Sequence, residues 1–171
     1  MGKMIECVVD SIRVSLTNQD RITVLKEKDA ERYLPIWMGI PEIDSITIAL
    51  QGVAIARPIT HDLMISILNA LNIRLERCEI THLETDTFYA NLILEQDGVR
   101  KIIDSRPSDA IALAVRAKAP VFVDEDILDE VGIRPEDVHD PEFAPVGIDK
   151  EMVDAKIEVT ELMGNEGILY L

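Results

Sequence analysis

The hydrophobic positions of the first 133 residues follow two periods, which predict alternating strands and helices. Alternating apolar and β-branched residues predict strands at 4–16, 21–28, 31–38, 73–84, 87–96, 99–105 and 120–125. Apolar residues three or four positions apart predict helices at 41–52, 60–71 and 106–119, with a last helical turn at 127–132. We expect Pro41 to open the first helix, Gly52 to end it and Thr60 to cap the second. Turns are predicted at 17–20 and 96–98.

Two segments, 24–50 and 93–115, repeat the same order of elements. Each contains a strand, an acidic turn, a second strand and a helix that begins near a proline. The helical parts, DSITIAL and DAIALAV, align Asp44 with Asp109 and Ile46 with Ile111. The repeat predicts an α+β fold in which a duplicated β-β-α unit forms a mixed, mainly antiparallel sheet with helices packed on it.

The charge is concentrated near the end of the chain. The 171 residues include 17 basic and 32 acidic side chains, a net charge of −15. Residues 120–171 alone hold 3 basic and 15 acidic side chains, a net of −12, and three prolines follow Gly132 closely. We therefore expect a folded domain at 1–133 and an acidic C-terminal extension at 134–171. Within it, 149–163 is compatible with a helix or a strand, and the extension is either a solvated or dimer-stabilising arm or a regulatory segment.

The composition limits the cellular location and the oligomeric state that we expect for the protein. No apolar run reaches the roughly 18 residues of a membrane span, and the N-terminus does not resemble a signal peptide. Cys7 and Cys78 form no metal-binding or redox spacing, so we expect buried, reduced thiols. A cytoplasmic protein without membrane association is predicted. Because 47% of the residues are hydrophobic, a homodimer or higher homo-oligomer is expected.

Polar residues cluster where three predicted helices begin. The clusters are Gly39–Glu42, Arg57–Asp62 and Asp104–Asp109. The first backbone N–H groups of a helix have no partner within it, and they attract anions such as phosphate. In two clusters an arginine directly precedes a proline and adds a fork that matches phosphate oxygens.

The same residues have a structural interpretation. Thr60, Ser105, Ser108 and Asp109 are common helix-capping residues. Arg57 and Arg106 are equally compatible with ion pairs to nearby aspartates. Trp37, surrounded by apolar residues, is expected in the core, with stacking on a nucleic-acid base as the alternative.

No metal-ligand motif is present in the sequence, since HExxH and zinc-finger spacings are missing, but carboxylates are abundant. Mg²⁺ needs only one or two carboxylates together with water. The candidates lie at the helix starts, and they are Glu42, Asp62, Asp104 and Asp109. The GxSxG nucleophile motif, the P-loop and the dinucleotide-binding glycine pattern are also absent.

The segments LPIWMGIPE, RPITHDL and IIDSRPSDAIALAVRAKAPVFV resemble the bifunctional nuclease domain family, over roughly residues 4–133. The resemblance implies an α+β domain with an internal duplication and a nuclease activity on RNA and DNA. The family's signature residues then fall on Glu42, Arg57, Thr60, His61, Asp62, Asp104, Arg106, Ser108 and Asp109.

A nuclease hypothesis assigns roles to these residues. Arg57 and Arg106 would hold the phosphodiester, and His61 would transfer protons with Asp62 beside it. Thr60, Ser105 and Ser108 would bind substrate. Glu42, Asp104 and Asp109 would bind Mg²⁺ or Mn²⁺, which activates water.

Two other classes of function remain open. One is a non-catalytic module that binds an anionic ligand or a protein partner at the same helix starts. The other is a structural homo-oligomer in which the signature residues only support folding. Nuclease activity is favoured if the fold gathers several basic residues in one cleft, the candidates being Arg57, Arg74, Arg77, Arg100, Lys101, Arg106, Arg116 and Lys118.

Overall fold

The computed structural model describes residues 2–14 and 21–135. Within them the chain forms seven strands and four helices. Their order along the chain is β1 (Met4–Val14), β2 (Arg21–Glu27), β3 (Tyr33–Met38), α1 (Ile40–Gln51), α2 (Thr60–Ala70), β4 (Arg74–Glu84), β5 (Thr87–Gln96), β6 (Val99–Ser105), α3 (Pro107–Ala117), β7 (Val121–Asp124) and α4 (Glu125–Val131).

All seven strands belong to one mixed sheet, in the order β3-β2-β1-β7-β4-β5-β6. Every neighbouring pair is antiparallel except β4 and β7, which run parallel. The connection from β4 to β7 passes through α3, as a parallel pair requires a crossover. The predicted α+β fold with a mixed, mainly antiparallel sheet is confirmed.

The predicted duplication is visible in the two halves of the sheet. A long strand, two shorter strands and a helix form each half: β1-β2-β3-α1 on one side and β4-β5-β6-α3 on the other. Both long strands contain irregularities in register, between Val9 and Ser11 in β1 and between Leu75 and Arg77 in β4. β7 lies between the two halves and joins them, and it brings α3 back towards the centre of the sheet.

One large core includes residues from the sheet and from α1, α3 and α4. Its fully buried side chains include Leu25, Leu34, Ile43, Ile46, Ile80, Ile111, Leu113 and Val123. In α3, every residue from Ala110 to Ala114 is buried. The small alanines let this helix approach the sheet and α1 closely, so the residues at its start are held firmly in place.

Turn chemistry agrees with the sequence at two positions. Asp97 and Gly98 join β5 to β6 with φ of 51° and 80°, the left-handed pair of a two-residue hairpin. Gly52, with φ of 63°, follows the last residue of α1, and its N–H bonds to Ala49 and Ile48 carbonyls. The predicted turn at 96–98 and the predicted helix stop are confirmed.

Three local predictions were wrong. Ile59, not Thr60, is the N-cap of α2, because its backbone is extended and the Asp62 carboxylate accepts its N–H at 3.1 Å. The apolar residues that predict α2 do not form one buried face. They are Leu63, Ile67, Leu68 and Leu71, of which only Leu68 packs against the core, together with Ile65, and the other three are exposed. Trp37 is 40% exposed.

Several predictions concern residues outside the described ones. These are the turn at 17–20 and the extension beyond Pro135, with the helix or strand at 149–163. Ile133, near the predicted end of the domain, still pairs with Tyr33 in an isolated antiparallel bridge. No helix in the described part of the chain is long and apolar enough to cross a membrane.

Candidate functional site

The starts of α1, α2 and α3 meet the end of β6 around an open cleft of about 780 Å³. Most of the site residues predicted from the sequence line it, although they come from three separate parts of the chain. They are Glu42, Thr60, His61, Asp104, Ser105, Arg106 and Asp109. The duplication places α1 and α3 side by side, and α2 packs against α3, so the starts of the three helices meet.

His61 is held at both ring nitrogens. It is the only buried residue of α2, with 7% of its surface exposed. Its Nδ1 lies 2.7 Å from Oγ of Ser45 in α1, and its Nε2 lies 3.1 Å from Oδ1 of Asp109 in α3. Three helices are therefore tied together through one imidazole.

The state of Asp109 fixes the direction of these hydrogen bonds. Burial raises the pKa of the Asp109 carboxyl, but hydrogen bonds from Arg106 and His61 more than offset this and hold the pKa below its usual value. The ionised carboxylate can only accept, so Nε2 of His61 carries a hydrogen and donates it. In a neutral imidazole Nδ1 is then an acceptor, and the hydroxyl of Ser45 donates to it.

Arg106 extends the network to the open side of the cleft. Its Nε and Nη2 donate to Asp109 at 2.7 and 3.1 Å, and its Nη1 lies 3.0 Å from Oε1 of Glu42. These carboxylates, Asp109 first and Glu42 second, raise the pKa of the guanidinium. Its side chain is 64% exposed, so Arg106 is the charged end that an incoming ligand meets.

Asp62 lies beside the cleft and does not line it. One of its carboxylate oxygens accepts from the backbone of Ile59, and the other accepts from Nε of Arg116 at 2.6 Å. Only 7% of the Arg116 side chain is exposed. Arg116 also donates to the carbonyl of Ala112 in its own helix. Asp62 thus fastens the start of α2 to the end of α3.

The other predicted residues lie at varied depths. Thr60 and Asp104 are exposed at the cleft, and Ser105 is half-buried, with its hydroxyl 3.5 Å from the carbonyl of Ala90. Ser108 is buried and does not line the cleft. Arg57 is exposed and also lies outside the lining.

Basic side chains do not gather here. Arg106 is the only arginine or lysine in the lining, against four carboxylates, those of Glu42, Asp44, Asp104 and Asp109. Arg21 pairs with Asp44 at 2.7 Å from outside the lining. Three other candidates are paired elsewhere, Arg74 with Glu95, Arg77 with Glu76 and Glu79, and Arg100 with Glu76. The cleft is acidic, with one basic group at its mouth.

The carboxylates of the cleft do not form a ready metal site. Both oxygens of Asp109 are bonded to His61 and Arg106, and Glu42 is paired with Arg106. Among residues 2–14 and 21–135, no group of three or more histidine, cysteine, aspartate or glutamate side chains is arranged to hold a metal ion. The donor set, as it stands, does not fit a resident Mg²⁺ or Mn²⁺.

Sequence reasoning missed two residues of this site. Ser45 lies between the buried Ile43 and Ile46 of α1, and only its position across from His61 reveals a role. Arg116 had been placed among basic residues of a candidate patch, but it is a buried partner of Asp62. A hydroxyl among buried isoleucines was the only available signal for Ser45.

The family of the chain follows from comparison with models of known protein families. A model of the bifunctional nuclease domain matches residues 23–136. The chain belongs to the bifunctional nuclease domain family. The match includes α1, α2 and α3, so every residue of the Ser45–His61–Asp109–Arg106 network lies inside the bifunctional nuclease domain.

Relatives of this bifunctional nuclease domain occur in bacteria and plants. An uncharacterised protein of Mycobacterium tuberculosis is 37% identical over 137 residues, which cover 80% of this chain and 82% of that protein. Bifunctional nuclease 1 of Oryza sativa subsp. japonica is 29% identical over 141 residues, 78% of this chain and 42% of the rice protein. Bifunctional nuclease 2 of the same plant is 28% identical over 142 residues, with 78% and 43% covered.

Proposed function

We propose that the protein is a nuclease that hydrolyses phosphodiester bonds of RNA and DNA in the cleft at the starts of α1, α2 and α3. The observation that carries the proposal is the network of His61, Asp109 and Arg106 in an open cleft. It combines a proton-transfer group with an anion-binding group in a chain of the bifunctional nuclease domain family.

Arg106 is the proposed phosphate-binding residue. Its guanidinium is largely exposed, and it can exchange its contacts with Asp109 and Glu42 for phosphate oxygens without leaving the cleft. Charge that develops on the phosphate during hydrolysis is then stabilised by the same group. Thr60 and Ser105 offer hydroxyls on the cleft wall for substrate. Arg57, which is exposed just before α2, would contact a phosphate further along the bound nucleic acid.

His61 is the proposed proton-transfer residue. Imidazole is the side chain that most often transfers protons in enzymes, and the hydrogen bond to the Asp109 carboxylate holds this ring in place. Asp62, which was expected beside it in the reaction, supports it by fixing the first turn of α2. We assign no step to Mg²⁺ or Mn²⁺, and a requirement for metal stays a prediction from the sequence.

The decisive experiment compares hydrolysis of single-stranded RNA and DNA by the wild type and by His61→Gln, with Mg²⁺, with Mn²⁺ and with EDTA. Glutamine keeps the polar contacts of the imidazole but cannot transfer a proton. The matched control is His82→Gln, because His82 is exposed on β4 and stacks on Tyr89 outside the cleft. Activity lost only in His61→Gln supports the nuclease, whereas equal activity in all three proteins places hydrolysis elsewhere or in a contaminant.

A second candidate is a non-catalytic module that binds a small anionic ligand or a protein partner. The acidic lining with a single exposed arginine favours it, because a protein that binds a nucleic-acid strand usually has several basic groups in contact with its phosphates. Titration with inorganic phosphate and with a short oligonucleotide separates the two functions. Binding of phosphate that requires Arg106, without hydrolysis of any nucleic acid, would favour the module.

A homodimer is proposed separately, and its expected contact is the outer face of α2. Leu63 and Ile67 of α2 are exposed there, as is Leu71, which directly follows the helix. Apolar side chains that line one helix face are typical of contacts between subunits. Ile67→Glu should lower the mass measured by light scattering if a second copy covers this face. A cytoplasmic location stays a prediction from the sequence.

A further inference from the structure

Both ring nitrogens of His61 are already occupied, which limits what the imidazole can do. With the Asp109 carboxylate ionised and the imidazole neutral, Nε2 donates to Asp109 and Nδ1 accepts from Ser45. Neither nitrogen is free to take a proton from a water molecule. Within this arrangement the proton that His61 can accept is the one on the hydroxyl of Ser45.

Ser45 differs from an ordinary buried hydroxyl in a helix. Serine and threonine inside helices commonly bond to the carbonyl four residues earlier. Thr47, two residues further along α1, does so, with its Oγ1 2.8 Å from the carbonyl of Ile43. Ser45 instead reaches across to the imidazole of another helix at 2.7 Å, within the roughly 2.6–3.2 Å expected between a nucleophile and its base. Although only 5% exposed, Ser45 lines the cleft.

We propose that Ser45 is the nucleophile of this site, activated by His61 and oriented through Asp109. The inference rests on the proposed nuclease function for its natural substrate, but the reactivity of the hydroxyl can be tested without nucleic acid. The order hydroxyl, imidazole, carboxylate is that of a catalytic triad. In the usual triad Nε2 faces the hydroxyl and Nδ1 faces the carboxylate. Here Nδ1 faces Ser45 and Nε2 faces Asp109, and the chemistry is equivalent because the partner of each nitrogen decides its role.

The reaction has two balanced steps. In the first, Oγ of Ser45 attacks the phosphorus, its proton moves to Nδ1 of His61, and the bond from phosphorus to the leaving oxygen breaks. The leaving oxygen takes the proton from His61, and one strand remains attached to Ser45 as a phosphodiester. In the second step water attacks the phosphorus, its proton moves to His61, and Oγ of Ser45 leaves and regains that proton. Arg106 balances the negative charge on the phosphate in both steps.

A fluorophosphonate probe tests the nucleophile directly. Its phosphorus accepts an activated serine oxygen and releases fluoride, and mass spectrometry of the digested full-length protein locates the adduct. We expect one adduct on the peptide that contains Ser45, none in Ser45→Ala, and labelling at least about 100-fold slower in His61→Gln. The matched control is Thr47→Val, which removes a buried hydroxyl of the same helix outside the cleft and should label like the wild type.

A second variant keeps the proposal testable if Ser45→Ala folds poorly. In Ser45→Cys the imidazole should activate a thiol at the same place. Burial raises the pKa of Cys7 and of Cys78 to about 12, so neither native thiol competes at neutral pH. Ser45→Cys should therefore gain one rapid site of alkylation by iodoacetamide, and this site should be lost in the double variant with His61→Gln.

The outcomes separate this inference from the nuclease proposal. Labelling of Ser45 without hydrolysis of nucleic acid supports the role of Ser45 as a nucleophile and contradicts the proposal that nucleic acid is the substrate. Hydrolysis that persists in a folded Ser45→Ala, or a wild type that the probe does not label at Ser45, overturns the nucleophile and leaves the nuclease standing on its own assay. Slow alkylation of Ser45→Cys, at the rate of the native thiols, would also overturn it.

Discussion

Asp109 of α3 and His61 of α2 are 48 positions apart in sequence, and yet Oδ1 of one lies 3.1 Å from Nε2 of the other. The same carboxylate accepts two hydrogen bonds from Arg106. Asp109 is therefore shared between the buried imidazole and the exposed guanidinium of the cleft. Its charge decides which nitrogen of His61 carries the hydrogen, and its position decides where Arg106 rests.

Asp109→Asn tests this shared role. The amide has nearly the same shape, but it carries no charge and can present a donor to His61, which would favour the wrong tautomer. We expect hydrolysis to fall by about 100-fold or more, and the free energy of unfolding to fall by about 1 to 2 kcal/mol. Nuclease assays and urea unfolding measure the two effects.

Asp97→Asn is the control, because Asp97 lies in the β5–β6 turn with φ of 51°, which asparagine also adopts. An unchanged activity in Asp109→Asn would show that the bond to His61 only supports the fold.

The stability of the protein should depend on Asp109 at acid pH. Burial raises the pKa of this carboxyl, but the hydrogen bonds from Arg106 and His61 bring the net pKa below the usual value. Because the pKa is lower in the folded state, the stabilisation is complete above the ordinary aspartate pKa of about 4 and is lost as the pH falls through the folded value. The difference in unfolding free energy between wild type and Asp109→Asn should therefore be constant above about pH 5 and shrink below about pH 4. Urea titrations across this range measure it, and a difference that grows on acidification would contradict it.

Asp62 should be more important for stability than its exposure suggests. It satisfies the N–H of Ile59 and accepts from Nε of the buried Arg116, whose Nη2 has no hydrogen-bond partner among the described residues. Asp62→Asn leaves a buried guanidinium without its counter-charge, and we expect a loss of about 2 to 4 kcal/mol in unfolding free energy.

Two comparisons sharpen the test on Asp62. Adding Arg116→Met to Asp62→Asn should restore part of the loss, because the unpaired charge is removed with its partner. Lys28→Gln, which breaks the exposed pair with Glu6, should leave the melting temperature at the wild-type value. Equal losses in Asp62→Asn and Lys28→Gln would show that the bond to Arg116 contributes nothing special.

The sequence predicts where the helices and strands lie better than it predicts which of their side chains are exposed. Alternation in the strands and the signals at Pro41, Gly52 and Gly98 depend on neighbours within a few residues, so they can be read directly. The apolar stripe of α2 could not be placed, because Leu63 and Ile65 are equally apolar and only the packing against the core decides which faces inwards. The position of β7 between β1 and β4 is likewise a property of the whole sheet.

The candidate site shows the same limit. The clusters at the helix starts contain His61, Arg106 and Asp109, which the structure places around one cleft. The pairing of Arg106 with an aspartate was one of the alternatives from the sequence, and the structure contains it with Asp109, three residues away. The sequence could not show that Arg106 also pairs with Glu42, nor that Ser45 faces His61, because these contacts join helices that are separate in sequence. The role of Ser45 could not be predicted because Ser45 and His61 lie on different helices, 16 positions apart in the sequence.

Metal binding in the cleft should compete with Arg106. Its guanidinium lies between the carboxylates of Glu42 and Asp109, where it occupies the place of a cation. Arg106→Gln frees both carboxylates next to Asp104, so we expect Mn²⁺ to bind about tenfold more tightly than to the wild type, a difference of about 1.4 kcal/mol. Electron paramagnetic resonance of free Mn²⁺ measures the affinity. Arg74→Gln, which breaks a pair with Glu95 outside the cleft, is the control and should bind like the wild type. If the wild type already binds Mn²⁺ as tightly as Arg106→Gln, the ion does not displace Arg106, and a metal used in the reaction must be held by other ligands.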